Sequence, residues 1–444
     1  MEDESLKQPV SAPPKTLPAR CSRRFRSHDE EEFAVSVKVV TPILGGSFFT
    51  GCDGIAYREY DAIRVPTVRG HLRFWWRALQ PPNLDGRTLR ERERSLWGGM
   101  GAAGEGDQGK QPKASRVSVR VESVTPATPE IDTDEPPEGG RGYALFPARQ
   151  QKKHGQVIRD TVPRLKAGIS FTLRISCPTD YVADVRKVVQ AWILFGGYGS
   201  RTRRGLGSLT VTEDVATWLP ATANAEMVTR LLVGEGSVSD TPTLAGSALT
   251  SGTSTTDADS AWDQAVGQLQ YFRQQRGFAR ERGTQRPGQS RWPEPDKIRH
   301  LSRKTQGHAP RFNDSPAWPR AQFGLPIVGR FNGRDEPGDF QIQWQPEGAV
   351  KPSDRLASPL IVKPLSLADG RFVPCALWLS RGFPAGKAVL VMDNRVVPNS
   401  AAAFESMHGT GDTILHPALH GQSSVRQAFF DWLVNDCRWQ RVSG

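Results

Sequence analysis

The stretch Val65–Leu79 (VPTVRGHLRFWWRAL) constrains the fold most, because its spacing predicts an amphipathic helix with a wide core stripe. Its apolar side chains recur at the intervals of one helical face: Val68, Leu72, Trp75, Trp76 and Leu79. Thr67 is the expected N-cap, because threonine can accept a hydrogen bond from the first helical turn and Pro66 stops a helix from entering from the left. The stripe, with its two tryptophans, must pack against other elements.

A neighbouring face of the same helix carries three arginines spaced four residues apart: Arg69, Arg73 and Arg77. A guanidinium group is planar, permanently charged and able to bind a phosphate through two hydrogen bonds. This face is therefore a candidate phosphate-binding surface. The alternative is an ordinary solvated face on a core helix, because runs of charge are often only surface, and the helix alone leaves both open.

A second stretch, Gly196–Leu209 (GGYGSRTRRGLGSL), combines glycines with arginines. The glycines are Gly196, Gly197, Gly199, Gly205 and Gly207, and the arginines are Arg201, Arg203 and Arg204. Glycine permits positive φ and lets backbone amides approach an anion closely. A mononucleotide loop follows a strand and opens a helix, whereas this loop follows a predicted helix and precedes a predicted strand. The order favours a loop laid along a polyphosphate backbone.

The charge of the chain points to a polyanionic partner, with a net charge of +11 and a pI of about 9.6. The excess is concentrated in residues 271–334, which hold 14 Lys and Arg against 4 Asp and Glu. The same stretch contains aromatic residues: Tyr271, Phe272, Phe278, Trp292, Phe312, Trp318 and Phe323. Interleaved arginines and aromatics are typical of single-stranded nucleic-acid surfaces, which makes Arg291 and Arg299 candidate contacts. The alternative is that these aromatics form a core.

The predicted elements of the first half follow the order strand, helix, strand, strand, helix, strand once insertions are set aside. The strands are expected at residues 33–41, 115–124, 170–177 and 208–213, with helices at 65–79 and 181–195 and a further short strand at 143–146. This is the order of a ferredoxin-like domain, which RNA-recognition-motif domains share. The aromatic strand motifs of a standard RNA-recognition motif are missing, so loops are the expected contact surfaces.

Composition divides the chain into four parts. Residues 1–32 are expected to form a disordered tail, and residues 33–214 the first domain, with its Gly/Arg-rich loop. Residues 215–259, rich in Ser, Thr, Ala and Gly, are predicted to be an interdomain linker. Residues 260–444 contain predicted helices at 261–282 and 424–437. Between these helices lie candidate strands at 325–331, 340–344, 360–365, 375–379 and 389–392, so the second half is also α+β.

Several strings of this sequence resemble the RAMP proteins of CRISPR systems. They are TPILGG (Thr41–Gly46), the R-F-W-W-R-A helix and the Gly/Arg stretch, joined further on by SRWPEPDKIR, FGLPIVGRF and RLASPLIVKPL. More narrowly, they resemble the first-numbered Cmr subunit of type III-B effector complexes. The resemblance covers most of residues 33–379 and implies an α+β protein with two ferredoxin-like (RNA-recognition-motif-like) domains and long loop insertions.

The resemblance also implies a function. It suggests a non-catalytic RNA-binding subunit at the 3′ end of the guide RNA that helps capture complementary target RNA in antiviral defence. The expected partners are guide CRISPR RNA, single-stranded target RNA and other Cmr-module subunits. The expected RNA-binding residues are Arg69, Arg73, Arg77, Gly196, Gly197, Gly199, Arg201, Arg203, Arg204, Gly205, Gly207, Arg291 and Arg299.

Two other functions stay open. Some RAMP proteins cut RNA without metal through a histidine, and His71 lies among the helix arginines, although one imidazole without a partner indicates little. A basic scaffold that contacts only proteins is the third possibility. A metal site at His416 and His420, near His408 and Asp412, is disfavoured because Pro417 interrupts the spacing and a third ligand at fixed spacing is missing. We expect no cofactor.

The remaining composition indicates a protein of the cytoplasm. The five cysteines show no CxxC pairing, which disfavours a disulfide framework or a cysteine zinc site and favours a reducing compartment. The N-terminus lacks the apolar segment of a signal peptide. No apolar run approaches the roughly 18 residues needed to span a membrane.

Overall fold

A computed structural model of the chain describes residues 29–46, 62–101, 111–126, 128–130, 139–153, 156–237, 239–274, 290–305, 312, 315–333, 335–353, 355–410, 412 and 416–444. The α-helices in these residues are α1 Val65–Ala78, α2 Gly86–Trp97, α3 Gly139–Leu145, α4 Val182–Phe195, α5 Val215–Trp218, α6 Glu226–Leu232, α7 Ala258–Gln274, α8 Glu294–Leu301 and α9 Val425–Asn435.

The strands follow the same chain order. They are β1 Glu30–Val39, β2 Ile43–Leu44, β3 Ser118–Glu122, β4 Pro129–Glu130, β5 Gln151–Lys153, β6 Gln156–Arg159, β7 Arg164–Leu165, β8 Ser170–Pro178, β9 Leu209–Val211, β10 Thr243–Ser251, β11 Ile327–Arg330, β12 Asp339–Pro346, β13 Leu360–Ser366, β14 Phe372–Ser380, β15 Gly386–Met392, β16 Arg395–Val396 and β17 Gln440–Ser443. The α+β class expected from the sequence is confirmed.

The first half is built on an antiparallel sheet in the order β3-β8-β1-β9. Along β1 the side chains of Val35, Val37 and Val39 are buried on one face. The opposite face carries ion pairs from Glu32 to Arg120 and Arg174. This alternation of apolar and charged positions leaves one face solvated and turns the other toward helices α1 and α4, as in many antiparallel sheets.

The second half repeats this arrangement around a sheet in the order β13-β14-β10-β17. In both sheets the chain runs strand, helix, strand, strand, helix, strand, and in both the first strand lies between the third and the fourth. The helices that belong to the second sheet are α7 and α9. A third sheet, β11-β12-β15-β16, is contributed by segments inserted on either side of β13 and β14, and it packs with α8 around its own core.

The two sheets share one layer of helices. Along β13, Ile361 and Leu365 join the core formed by the first sheet, α1 and α4, whereas Leu360 and Val362 join the core around α7 and α9. The order of layers is therefore first sheet, helices α1 and α4, second sheet, helices α7 and α9. Because both faces of the second sheet are covered, its strands β13 and β14 are apolar along almost their whole length.

A buried lysine lies in the shared layer. Lys363 of β13 is 1% exposed, and its Nζ donates to the carbonyl oxygens of Ile193 at 3.2 Å and Gly196 at 2.8 Å. These carbonyls belong to the end of α4, where a cation is favoured by the helix dipole and by unpaired acceptors. Burial lowers the pKa of Lys363 to about 8.

Most predicted elements are confirmed, with shifts of a few residues at their ends. The N-cap prediction is wrong: α1 begins at Val65 with Arg64 as the N-cap, and the Thr67 hydroxyl donates to the Gly46 carbonyl oxygen at 2.9 Å. The short strand predicted at 143–146 is also wrong, because these residues lie in α3 and a following 3-10 turn. Residues 30–32 of the predicted tail begin β1, and residues 1–28 lie outside the described residues.

The linker predicted at residues 215–259 is wrong. This stretch forms α5, α6 and β10, and β10 is an inner strand of the second sheet. One of its small polar residues, Ser247, bonds to backbone groups inside the protein: its hydroxyl donates to the Thr243 carbonyl oxygen at 2.8 Å and accepts from the Ser380 amide at 3.0 Å. The Ser, Thr, Ala and Gly residues that suggested a flexible linker are therefore small side chains that pack between paired strands.

The buried lysine makes stability depend on pH in a defined direction. The folded state releases the Lys363 proton near pH 8, whereas the unfolded chain holds it to about pH 10.4. The unfolded state therefore binds more protons between these values, and the free energy of unfolding rises with pH. We expect the wild type to gain about 2–4 kcal/mol relative to Lys363→Met between pH 7.5 and pH 10.

Denaturant melts of both proteins at several pH values measure this difference. Lys166→Met, at an exposed lysine, serves as the matched control and should follow the wild type. Burial raises the pKa of the neighbouring Cys375 thiol to about 11 in the folded state, and its titration in the unfolded chain is common to both proteins and cancels in the comparison. Parallel pH curves for wild type and Lys363→Met would contradict the assignment.

Candidate functional site

Hydrogen bonds from the second half hold the Gly/Arg loop, residues 196–208, in place. The Trp262 indole N–H donates to the Arg204 carbonyl oxygen at 2.6 Å. The Arg204 guanidinium in turn donates to the Leu360 carbonyl oxygen at 2.9 Å, and its pKa is lowered to about 9 by burial. Just beyond the loop, the Ser366 hydroxyl donates to the Leu209 carbonyl oxygen at 2.9 Å. The loop is thus part of the joint between the halves.

The loop glycines serve this packing. A Cβ on Gly207, whose φ is +62°, would overlap the carbonyl oxygen of Tyr198, and a Cβ on Gly205, at φ +78°, would overlap the Trp262 ring. Their amides are used internally as well: the Gly207 amide donates to the Pro42 carbonyl oxygen at 2.8 Å and the Gly205 amide to Thr202 at 3.0 Å. The predicted role of these glycines in presenting amides to an anion is therefore wrong.

The Gly196 amide is also used internally, since it donates to the Trp192 carbonyl oxygen at 2.9 Å, whereas the anion contact of Gly197 and Gly199 stays a prediction. Gly196 is packed against the Trp75 and Trp192 side chains, and Gly197 against the backbone of residues 206–207. Gly199, at φ +92°, is half-buried, and a Cβ there would lie 2.8 Å from the Leu44 carbonyl oxygen. Because protein atoms occupy the space at each of these glycines, a side chain at any of them would clash with the fold.

The helix arginines are also committed to the protein. The Arg73 Nε lies 2.7 Å and the Arg77 Nη1 2.6 Å from the same carboxylate oxygen of Glu93, a residue of α2 that is 6% exposed. Arg69 donates to the carbonyl oxygens of Val117, at 3.2 Å, and Trp97. These contacts hold α2 and the start of the β3 segment on α1. The three arginines thus make contacts within the protein, and their contact with RNA phosphates stays a prediction.

Helix α1 instead turns an aromatic edge toward the Gly/Arg loop. His71, Phe74 and Trp75 form one wall of a pocket of about 390 Å³, and the loop and β13 form the other walls. The pocket is lined by His71, Phe74, Trp75, Phe195, Gly196, Gly197, Arg201, Thr202, Arg203 and Ile361. No carboxylate is among these described lining residues, so the pocket is aromatic and cationic.

Arg203 is the side chain of this pocket best placed to meet a ligand. Its guanidinium lies 5.4 Å from the centre of the Phe74 ring and, among the described residues, has no hydrogen-bond acceptor. Burial, and then the nearby Arg381, lower the pKa of Arg203 to about 10, so it is still protonated at neutral pH. A half-buried cation beside a second cation favours an anionic ligand.

The other loop arginines are more constrained. Arg201 adopts a left-handed backbone, with φ +57°, and its Nε donates to the Ala144 carbonyl oxygen at 2.7 Å. Burial is the main cause that lowers the pKa of Arg201, with smaller contributions from Arg273 and Arg355. Arg201 therefore lines the pocket while bonded to the protein, and Arg204 serves structure. Of the three loop arginines, Arg201 and Arg204 bond to carbonyl oxygens of the protein, whereas the Arg203 guanidinium has no acceptor among the described residues.

His71 lies at the inner end of the aromatic wall. Its ring stacks on Trp192 at 6.4 Å between centroids and meets the edge of Tyr198 at 6.1 Å. Burial lowers the pKa of His71 to about 4, so the imidazole is neutral at pH 7. Its Nε2 is buried without a hydrogen-bond partner in the described part of the chain. Such an atom is costly to leave unsatisfied.

The two arginines of the second half that were predicted to contact RNA are Arg291 and Arg299, and they have different surroundings. Arg299 forms a two-point ion pair with Glu336, at 2.8 and 3.1 Å, is only 8% exposed and lies over the Phe331 ring. Arg299 therefore makes structural contacts here, and its contact with RNA stays a prediction. Arg291 is half-buried and remains a predicted contact. In the same helix as Arg299, the Lys297 Nζ donates to both carboxylate oxygens of Asp412 at 3.1 Å. Asp412, which lies near the histidines considered for a metal site, is thus paired with a lysine.

The aromatic residues of the basic stretch mostly form a core. Those that are buried are Phe272, Trp292, Phe312, Trp318 and Phe323. Tyr271 is 46% exposed but stacks on Trp432 at 5.8 Å, and Phe278 lies outside the described residues. The interpretation of these aromatics as base-stacking residues is wrong for the buried five. Phe272, Trp292 and Phe323 pack in the core around α7 and α9, Trp318 packs in the core of the third sheet, and Phe312 packs against His416.

Sequence reasoning missed Phe74 as a site residue. The signal was present, because His71, Phe74 and Trp75 have the i, i+3, i+4 spacing of one helical face. Arg381, at the end of β14, and Ile361 of β13 come from the second half, and no local pattern connects them to α1. The described residues contain no helix long and apolar enough to cross a membrane.

Comparison with known proteins finds similarity for the first half of the chain. Residues 36–210 match the model of the RAMP superfamily. The CRISPR system Cmr subunit Cmr1-1 of Pyrococcus furiosus is 28% identical over 159 residues, which are 35% of this chain and 42% of that protein. The chain thus spans less than half the length of this curated relative. The resemblance to the RAMP superfamily, and within it to Cmr1, is confirmed.

Solved structures give weaker likenesses. The apo crystal structure of Cmr1 from Pyrococcus furiosus has a TM-score of 0.46 and 16% identity, over 93% of this chain and 98% of that chain. A chain of the type III-B Cmr-beta complex, bound to cognate target RNA and AMPPnP in the presence of ssDNA, has a TM-score of 0.36 and 12% identity. That match covers 78% of this chain and 94% of the other.

The different surroundings of the arginines predict different effects of charge reversal. Arg73→Glu places a second carboxylate beside buried Glu93, so we expect it to lower the free energy of unfolding by about 1–3 kcal/mol. Arg203→Glu removes no described hydrogen bond and should cost less. Thermal and denaturant melts of the two variants measure this. Equal loss of stability in both would contradict the division between structural and ligand-facing arginines.

Proposed function

We propose that this chain is an RNA-binding, non-catalytic subunit of a type III-B CRISPR effector complex. The match of residues 36–210 to the RAMP superfamily supports it, and so does a relative named as a Cmr subunit. In this proposal the partners are guide CRISPR RNA, complementary target RNA and other Cmr subunits in the cytoplasm. The subunit lies at the 3′ end of the guide and helps capture the target, while base pairing supplies the sequence recognition.

We also propose that the chain contains two ferredoxin-like domains. The support is topological: both four-stranded sheets have the same chain order and the same spatial order, with the first strand between the third and fourth. The third sheet is then an insertion in the second domain. The two domains share the helix layer of α1 and α4 and so act as one support for the Gly/Arg loop.

The observation that carries the RNA-binding proposal is the pocket between α1 and the Gly/Arg loop. Aromatic rings can stack on nucleobases and an unpaired guanidinium can bind a phosphate, which are the two contacts used by proteins that bind single-stranded nucleic acid. Phe74 and Arg203 place both within one 390 Å³ site. The positive net charge of the chain favours the same partner.

The state of His71 favours a non-catalytic subunit over the alternative, a metal-independent RAMP endoribonuclease. Cleavage by acid–base chemistry needs a group that donates a proton, and the His71 pKa of about 4 leaves the imidazole neutral at pH 7. Its Nε2 is also buried and lacks a hydrogen-bond partner among the described residues. One argument still favours the endoribonuclease: a neutral imidazole near a cation can act as a general base.

Binding of labelled single-stranded RNA by the purified full chain tests the proposal. We expect the affinity to fall roughly tenfold or more between 50 and 200 mM salt if about three phosphates are contacted. Arg203→Ala should weaken binding, whereas Arg395→Ala, at an exposed arginine of the third sheet, should not. No binding at low salt would favour a scaffold that contacts only proteins.

Analysis of the same RNA on gels separates the two RNA-binding functions. We expect intact RNA after incubation without metal, and the same result for His71→Ala. Metal-independent cleavage that His71→Ala abolishes would establish the endoribonuclease instead.

A further inference from the structure

We infer that the pocket between α1 and the Gly/Arg loop takes one unstacked nucleobase, with the adjoining phosphate held by Arg203. This inference rests on the proposed RNA-binding function and specifies the contact that the pocket makes. It places the base inside, against Phe74, Trp75 and His71, and the phosphate at the cationic rim.

The size and walls of the pocket fit a base. A volume of about 390 Å³ lies at the lower end of the range of small-ligand pockets. Phe74 and Trp75 meet edge to face, with ring centroids 5.2 Å apart and an interplanar angle of 85°, so the two rings form a corner and not a flat platform. A corner of this kind accommodates a single planar group better than a run of stacked bases.

The polar groups inside the pocket suit an uncharged ligand. His71 is neutral at pH 7, with a buried Nε2 that lacks a hydrogen-bond partner among the described residues. A nucleobase carries no net charge, so it meets no electrostatic penalty beside a neutral imidazole. A phosphate in the same place would meet a neutral ring in an apolar corner and lose its hydration without compensation.

The rim of the pocket suits the phosphate. The Arg203 guanidinium lies over the Phe74 ring, keeps its charge at pH 7 and is close enough to Arg381 for the second cation to lower its pKa. Asp240 is the acidic group that acts on Arg381. A phosphate at Arg203 would offset the repulsion between the two guanidinium groups. Phe74 and Arg203 lie side by side, so the ring can contact the base while the guanidinium binds the adjoining phosphate.

The pocket is formed before binding. Trp262 holds the loop at Arg204, and Lys363 holds the end of α4 at Gly196, so both walls are fixed by the second half. A fixed site does not have to order its loop when the ligand arrives, which lowers the entropic cost of binding.

RNAs with and without bases provide the test. Two oligoribonucleotides of equal length are compared with the full chain, one with normal bases and one in which every nucleotide is abasic. Phe74→Leu keeps an apolar side chain but removes the ring. The matched control is Phe146→Leu, because Phe146 is also a phenylalanine under an arginine, Arg149, but does not line the pocket.

We expect Phe74→Leu to weaken binding of the normal RNA about tenfold and binding of the abasic RNA by less than twofold. Arg203→Ala should weaken both RNAs, and Phe146→Leu neither. If the wild type binds both RNAs equally and Phe74→Leu changes nothing, the base pocket is wrong while RNA binding stands. If the wild type binds neither RNA, the proposed function itself fails.

Cross-linking of the wild-type protein makes the test independent of folding of the variants. RNA containing 4-thiouridine is irradiated in the complex, and the cross-linked peptides are identified by mass spectrometry. We expect cross-links on the peptide that contains Phe74 and Trp75. Their absence from this peptide would overturn the inference.

Discussion

The position of the functional loop depends on the buried ammonium group of Lys363. It binds the carbonyl oxygens at which α4 ends and the Gly/Arg loop begins, so a strand of the second half fixes the geometry of the first. Burying a cation is costly, and the cost is offset here by two carbonyl acceptors and the negative end of a helix dipole. The shared helix layer makes this contact possible, because α4 lies between the two sheets.

This constraint changes the role of the glycines and arginines in the loop. Gly205 and Gly207 allow the backbone to approach Trp262 and Tyr198, and Arg204 closes the joint by hydrogen bonding to β13. The anchored loop leaves Arg203 at the rim of a pocket whose other wall is α1. In our proposal, neighbouring residues of this short loop therefore have different roles: Arg204 holds the fold and Arg203 binds RNA.

Local patterns in the sequence were sufficient to predict the elements, and they failed where a partner is distant. The stripe of α1 was predicted because Trp75 and Trp76 follow helical spacing, and both are buried. The arginines on the next face were assigned to RNA because their partner, Glu93, lies in another helix among many charges. Ser- and Thr-rich β10 was taken for a linker, because pairing with β14 and β17 is not visible in composition. The pocket needed Phe74, and sequence reasoning had concentrated on charge.

Amide hydrogen exchange of the loop tests most directly the claim that it is a rigid part of the joint. The amides of Tyr198 and Gly207 donate to carbonyl oxygens within the fold, so they should exchange slowly in the wild type. Trp262→Phe, which removes the hydrogen bond to Arg204, should speed exchange in residues 196–208 and leave β1 unchanged. Wild-type loop amides that exchange as fast as a free peptide would contradict the account.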